Sequence, residues 1–222
     1  MKIKYDYQNF APNNLEPENI DRLAIERVPC NTKVLDIGCA TGFIGEYLIK
    51  EKKCRVYGVE KRKNEAEIAK KKLTDVLIAD IEQEATVENI LKFVRYEKFD
   101  VILATSVIEH LKDQALFIEN CKKLLKPKGI IIASTPNIAH WTIRLSLLKG
   151  DFDYTEYGIL DNTHLHFFTI KTFSQLFEKN KFAIKELLID SVGGGYPRLS
   201  RLLAKLFPAI FAYQILIVAQ RN

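Results

Sequence analysis

Short β-rich apolar runs alternate with stretches of helical periodicity through the first 135 residues, and few architectures accommodate that rhythm. Runs near 33–38, 55–60, 75–80, 99–104 and 129–135 read as strands, with helix patterns near 43–51, 62–73, 86–95 and 113–125 between them. The last helix is closed by Lys126-Pro127-Lys128-Gly129, a stop signal. Parallel strands need long crossovers, which helices supply, so the pattern predicts an α/β, doubly wound, mostly parallel sheet with helices on both faces. A further helix at 171–180 precedes two more runs, Phe182 to Asp190 and Gln214 to Gln220, which complete a seven-stranded sheet with an antiparallel edge strand. A length of 222 residues suits one core, so residues 1–222 read as a single domain.

With 47% hydrophobic and 27% charged residues the chain is neither disordered nor fibrous. No apolar stretch of about 18 residues occurs, and MKIKYDYQNF lacks the apolar core of a signal peptide, so a cytoplasmic address is expected. Cys30, Cys39, Cys54 and Cys121 form no C-x-x-C pair and read as reduced, mostly buried thiols. The net charge of +5 comes largely from Lys61-Arg62-Lys63 and Lys70-Lys71-Lys72, spaced as a solvated helix face. That charge permits a nucleic-acid partner without indicating one.

The first strand, Lys33 to Gly38, turns through Cys39-Ala40-Thr41-Gly42 into a helix. Small residues at 38, 40 and 42 let a ligand approach the backbone at the strand's carboxyl end, where open α/β sheets bind their ligands. A dinucleotide site wants G-x-G-x-x-G, so that pyrophosphate rests on the helix terminus. Here the intervals are G-x-A-x-G, and Asp36 would repel a pyrophosphate. The same carboxylate attracts the ammonium and sulfonium groups of S-adenosylmethionine. Glu60, 24 residues after Asp36, ends the second strand and can accept ribose hydroxyl protons, and Asp80 ends the third. Asp80 alone is equally a cap or turn residue, but acids at three successive strand ends beside a glycine-rich turn are not explained as caps.

Val34-Leu35-Asp36-Ile37-Gly38-Cys39-Ala40-Thr41-Gly42 resembles the glycine-rich motif of class I S-adenosylmethionine-dependent methyltransferases, with Ala40 at the usual middle glycine, a change tolerated where φ stays negative. Thr105-Ser106-Val107-Ile108-Glu109-His110-Leu111 and Lys122 to Gly129 are similar to the segments after the fourth strand of small-molecule methyltransferases, so the resemblance spans most of 30–135. It implies a Rossmann-like fold with S-adenosylmethionine as cofactor, held by Asp36, Gly38, Cys39, Ala40, Gly42, Glu60, Asp80, Ile81 and Thr105, with Asp80 and Ile81 on the adenine. Glu109 and His110 could alternatively cap the next helix and pack against the sheet edge.

Methyl transfer is an in-line displacement, and a hydroxyl acceptor profits from a neighbouring base. All four histidines, His110, His140, His164 and His166, fall where loops leave the fourth and fifth strands. The segment 137–169 is rich in aromatics, His and Asp without clean periodicity and reads as an acceptor-side lid. Its ends, Ser134 to Trp141 and Asp161 to Thr169, resemble a bacterial subgroup associated with sugar, polysaccharide or quinone pathways, which has Arg at the position of His166. That likeness implies a small-molecule or glycan- or lipid-linked acceptor. His164 is the foremost base candidate, against a structural hydrogen-bonding role; His110 and Glu109 join it as catalytic candidates, and His140 and His166 rank lower. Some quinone and small-RNA methyltransferases bind a divalent ion through E-x-x-E-H; here Ser106 replaces the first acid and no metal is expected, although Glu109, His110 and His164 or His166 could supply ligands.

The insert 193–212 opens with Gly193-Gly194-Gly195 and continues in a basic, apolar helix pattern from Tyr196 to Phe207. Packing over the domain is the first reading, a peripheral membrane helix through 196–207 the second. Methyl transfer to oxygen leads the functional readings. RNA as substrate is disfavoured by the missing Asn/Asp-Pro-Pro-aromatic turn, and a noncatalytic cofactor-binding role by the retained acids and lid. Oligomeric state is not legible.

Overall fold

The computed structural model describes residues 11–190 and 197–221. Its strands are β1 (Lys33–Ile37), β2 (Arg55–Glu60), β3 (Asp75–Ile78), β4 (Phe99–Thr105), β5 (Leu125–Pro136), β6 (Phe182–Asp190) and β7 (Gln214–Arg221). They form one seven-stranded sheet in the order β3-β2-β1-β4-β5-β7-β6. The first five strands pair in parallel, and β7 runs against both β5 and the outermost strand, β6. The helices are α1 (Ile20–Arg27), α2 (Phe43–Lys52), α3 (Lys63–Ala69), α4 (Thr86–Phe93), α5 (Gln114–Leu124), α6 (Trp141–Lys149), α7 (Ile170–Lys179), α8 (Pro197–Leu206) and α9 (Pro208–Phe211).

Strands covered on both faces carry apolar residues on both, which is why β1 and β4 read as continuous Val/Ile/Leu runs. Val34, Val101, Leu103 and Leu216 pack beneath α1, α2 and α3. Their neighbours Leu35, Ile37, Ile102 and Ile217 pack against α4, α5 and α7, where Phe117, Phe173 and Phe177 fill the space. The two-residue period also places Asp36 on the α1 side. The chain winds outward from β1 to β3 and then restarts at β4 on β1's other flank, so the sheet's switch point lies between the carboxyl ends of β1 and β4.

Three expectations change. Residues 137–169 are not irregular throughout, because they contain α6, a helix with no buried residue and hence no apolar face to betray it. The helix α1 was invisible in the sequence pattern as well. Lys126 to Gly129 is not a separate turn: α5 ends at Leu124 and β5 begins at Leu125, with an irregular register around Phe99 and Val101 that absorbs Pro127 and the positive φ of Lys128. Gly193-Gly194-Gly195 and Tyr196 lie outside the described residues. No described helix is long and apolar enough to cross a membrane.

Candidate active site

The turn after β1 alternates into left-handed backbone at Gly38 (φ 70°), Ala40 (φ 47°) and Gly42 (φ 76°). A Cβ at Gly38 would stand 2.9 Å from the side chain of Val107, so only glycine lets the turn after β4 approach this closely. Ala40 departs from expectation, since its φ is positive and its methyl group sits in a conformation that suits glycine. Glu60 ties the turn down: its Oε2 accepts the Ala40 N–H at 3.0 Å and its Oε1 the Arg62 N–H at 2.9 Å. The carboxylate expected to meet ribose hydroxyls therefore also shapes the loop, and its Oε1 accepts the Arg62 Nε–H as well, at 3.4 Å. Asp80 likewise has two duties, because it lines the cavity while its Oδ1 accepts the Glu82 N–H at 3.0 Å.

These elements enclose a cavity of about 560 Å³ at the switch point, the size of a cofactor pocket. Asp36, Gly38, Cys39, Ala40, Glu60, Asp80, Ile81 and Thr105 all line it; Gly42 does not, and acts instead at the start of α2. Burial, reinforced by the charges of Glu60 and Asp21, pushes the Asp36 carboxyl up to about 7. Burial also raises Asp21, on α1, to about 6. Arg62 lies 3.4 Å from Glu60 and 3.3 Å from Glu65, which answers part of this negative charge at one end of the cavity. Near Asp36 the crowding remains, and a cationic guest would relieve it. Apolar walls from Ile37, Ala79, Ile81, Val107 and Leu111 suit a flat ring system beside that acidic corner. The residues present thus fit S-adenosylmethionine in charge, size and surface.

Beyond this corner the structure gathers three of the predicted residues. Ligand atoms of Glu109, His110 and His164 lie within 4.8 Å of one another, and the two imidazole rings meet edge to face. His110 lines the cavity together with Thr163, whereas His164 and Glu109 stand outside the lining. The His110 Nδ1 is 3.1 Å from the Thr163 carbonyl and the His164 Nδ1 3.1 Å from the Ile159 carbonyl. A carbonyl only accepts, so each Nδ1 carries the proton and each Nε2 is the basic nitrogen. Asp161 holds Thr163 in place through its N–H at 2.9 Å and its hydroxyl at 2.6 Å. The Glu109 carbonyl accepts the N–H groups of Leu165 and His166, pinning this segment to the turn after β4.

Glu109 is 1% exposed, and neither carboxylate oxygen has a hydrogen-bond partner among the described residues. Burial raises its carboxyl to about 8; the nearby Asp161 adds to the rise, while its own backbone and the Thr135 hydroxyl, close by but outside hydrogen-bond geometry, oppose it. His140 lies elsewhere, 2% exposed, with its Nδ1 2.7 Å from the Thr142 hydroxyl and its ring against Tyr213. His166 does not line the cavity either. Sequence reasoning missed Asp21, Tyr157, Tyr213 and Gln214 in the cavity wall. Only Tyr157, in the aromatic-rich segment, carried a signal that could have found it.

Comparison with known proteins places the chain in a family. Residues 6–187 match the family described as a methyltransferase domain. A ubiquinone biosynthesis O-methyltransferase of Neisseria meningitidis is 29% identical over 125 residues, covering 56% of this chain and 52% of that protein. Its namesake in Pasteurella multocida is 32% identical over 143 residues, 56% of this chain and 59% of the other. The chain thus spans between half and three-fifths of these two relatives. Among solved structures, the cyclopropane synthase MmaA2 of Mycobacterium tuberculosis superposes with a TM-score of 0.64 at 17% identity, over 95% of this chain and 88% of that one. A SAM-dependent methyltransferase of Archaeoglobus fulgidus gives 0.61 at 20% identity, over 90% and 94%. At such identities these two speak for the fold.

Proposed function

This chain belongs to the class I S-adenosylmethionine-dependent methyltransferase family, and on that footing we propose that it methylates a hydroxyl oxygen of a small molecule of the quinone-precursor class, with the cytoplasm as its compartment. The observation that carries the reading is the juxtaposition of the acidic corner at Asp36 with a histidine pair whose nearer member, His110, is on the same cavity's wall. S-adenosylmethionine, when bound, supplies a methyl carbon on a cationic sulfur. Asp36 and Glu60 attract and orient that cation and its ribose; Ala79, Asp80, Ile81 and Thr105 form the wall for the adenine. Tyr157, Gly158 and Thr163 line the cavity near His110, where they would position the acceptor oxygen. An acceptor hydroxyl held beside the methyl group that bound S-adenosylmethionine would supply can give its proton to Nε2 of His110, whose Nδ1 faces the Thr163 carbonyl. His164 supports the ring edge-on, its centroid 4.8 Å from that of His110. The relatives' names support an oxygen as the acceptor atom.

A second reading rests on Glu109, whose buried carboxylate lacks a partner beside two Nε2 nitrogens that main-chain carbonyls orient. The same three residues would hold a divalent cation through one oxygen and two nitrogens. Transfer of labelled methyl to a panel of catechols, hydroxylated sugars and transfer RNA tests the proposal. Label is expected in the catechols, with His110→Ala and His164→Ala each lowering kcat by about a hundredfold while cofactor affinity holds. Label in transfer RNA, or none, contradicts it. Loss of activity on chelation, restored by magnesium or manganese, would turn the histidine pair from base to ligand.

A further inference from the structure

Among the described residues, the exposed large apolar side chains other than Ile78, Tyr96, Leu116 and Leu187 belong to two segments, 141–165 and 199–207. The helix α8 is turned inside out relative to an ordinary surface helix. Leu199, Leu202 and Leu206, at i, i+3 and i+7, form one face and are 54%, 54% and 61% exposed, with Phe207 beside them at 55%. Its inward side is Ala204, 1% exposed, and Arg201, which is paired with Glu16 and Glu18. Ion pairs anchor the helix and Leu203 is half-buried, while its other three leucines are exposed.

We propose that this face docks on an anionic lipid bilayer, with α8 lying in the interface and the leucines of α6 beside it. Residues 197–211 contain Arg198, Arg201 and Lys205 and no Asp or Glu. Among the described side chains Arg201 is held inward by its glutamates and Lys205 is exposed beside the apolar stripe; a cation next to such a stripe suits a negatively charged interface, and a helix of ten residues is too short to span it. A second copy of the chain would bring the same cations against themselves. The acidic residues Asp151, Asp153 and Glu156 lie past α6, so the electrostatic attraction comes from α8.

The location gives the face a use. Pro136 and Gln214 are paired neighbours, and α6 follows the first while α9, joined to α8, precedes the second. The Asn137 amide donates to the carbonyls of Ala209 and Ala212, fastening the two segments together, and Tyr213 lines the cavity beside Tyr157 and Gly158. The apolar face thus belongs to the segments that line the acceptor side of the cavity, and an acceptor with an apolar tail would enter from the bilayer. This last step rests on the methyltransferase reading; the docking does not.

Flotation of the full chain with vesicles tests the docking directly. Binding is expected to vesicles of phosphatidylcholine mixed with phosphatidylglycerol, weaker to phosphatidylcholine alone, and weaker at high salt. Leu202→Glu with Leu206→Glu should weaken it by about tenfold or more, while methyl transfer to a short, water-soluble acceptor is unchanged. Lys205→Glu, an exchange at an exposed position, gives a second variant with the same expected direction should the first not fold. Absence of vesicle binding, equal binding by the folded variants, or a dimer in sedimentation that the leucine variant dissociates would overturn the proposal. Failure of methyl transfer with vesicle binding intact would instead count against the functional reading alone.

Discussion

Ala40 carries a methyl group at a φ of 47°, a region that costs an L-residue about 1–2 kcal/mol. Ala40→Gly removes that strain, partly offset by a freer unfolded chain, and should raise Tm by about 2–4 °C; a lower Tm in calorimetry would contradict the geometry. Asp36 gives the clearest pH signature. Its carboxyl is pushed up to about 7 in the fold from 3.8 in the reference state, so between those values the folded state holds more protons than the unfolded. Its contribution to stability should therefore fall by a few kcal/mol as pH rises from about 4 to about 7, with Asp21, raised to about 6, and Glu109, raised to about 8, adding slopes of the same sign. Asp36→Asn should make the slope shallower, measured as urea midpoints across that window, and a slope unchanged in the variant or of opposite sign in the parent would refute the burial argument. Asp36, Glu60 and Asp80 were legible because each lies at or close to the carboxyl end of a strand that announces itself. Asp21 was not, because only the folded packing of α1 against the sheet brings it to the same corner, and the φ of Ala40 is set by the neighbouring turn rather than by its own identity.

Periodicity in a sequence is the imprint of burial, which decides which elements could be read. The strands β1 and β4 are covered on both faces and were found within a residue or two. The helix α6 buries nothing and was missed, while α8, whose apolar stripe is as regular as a core-facing one, was found but points the other way. At β5 the punctuation residues Pro127 and Gly129 suggested a turn, yet an irregular edge of the ladder absorbs them. The helix α7, by contrast, is fixed locally: the Thr169 hydroxyl accepts the Thr172 N–H at 3.2 Å, and the Thr172 hydroxyl accepts the Thr169 N–H at 2.9 Å. Thr169→Ala should destabilise the protein by about 1 kcal/mol. Because Phe168 and Phe173 pack on each other across this cap, amide exchange in 161–169 should rise with it. Unchanged exchange there would show that the cap does not hold that segment.

At the scale of the whole molecule, one crossing of the sheet order creates the site. The chain leaves β1 on one side and returns to its other flank at β4, so the glycine-rich turn and the Thr105 to His110 turn face each other across a single crevice. Asp36 and Glu60 line one part of that crevice and His110 another, a division suited to a cation and to a hydroxyl that must lose its proton. The sequence displayed the first part openly, through strand ends in order. The second depends on how 150–169 folds back, with Leu165 and His166 bonded to the Glu109 carbonyl, a long-range contact that no local pattern announces. The central claim is that the acidic corner selects a cationic sulfur compound over a phosphate-rich nucleotide. Titration calorimetry with S-adenosylmethionine and with NAD, run near pH 6 in two buffers of different ionisation enthalpy, tests it most directly. S-adenosylmethionine should bind and release a proton from Asp36, with affinity lost in Asp36→Lys and NAD giving no heat of binding; uptake of NAD with indifference to S-adenosylmethionine, or undiminished affinity in Asp36→Lys, would contradict the account.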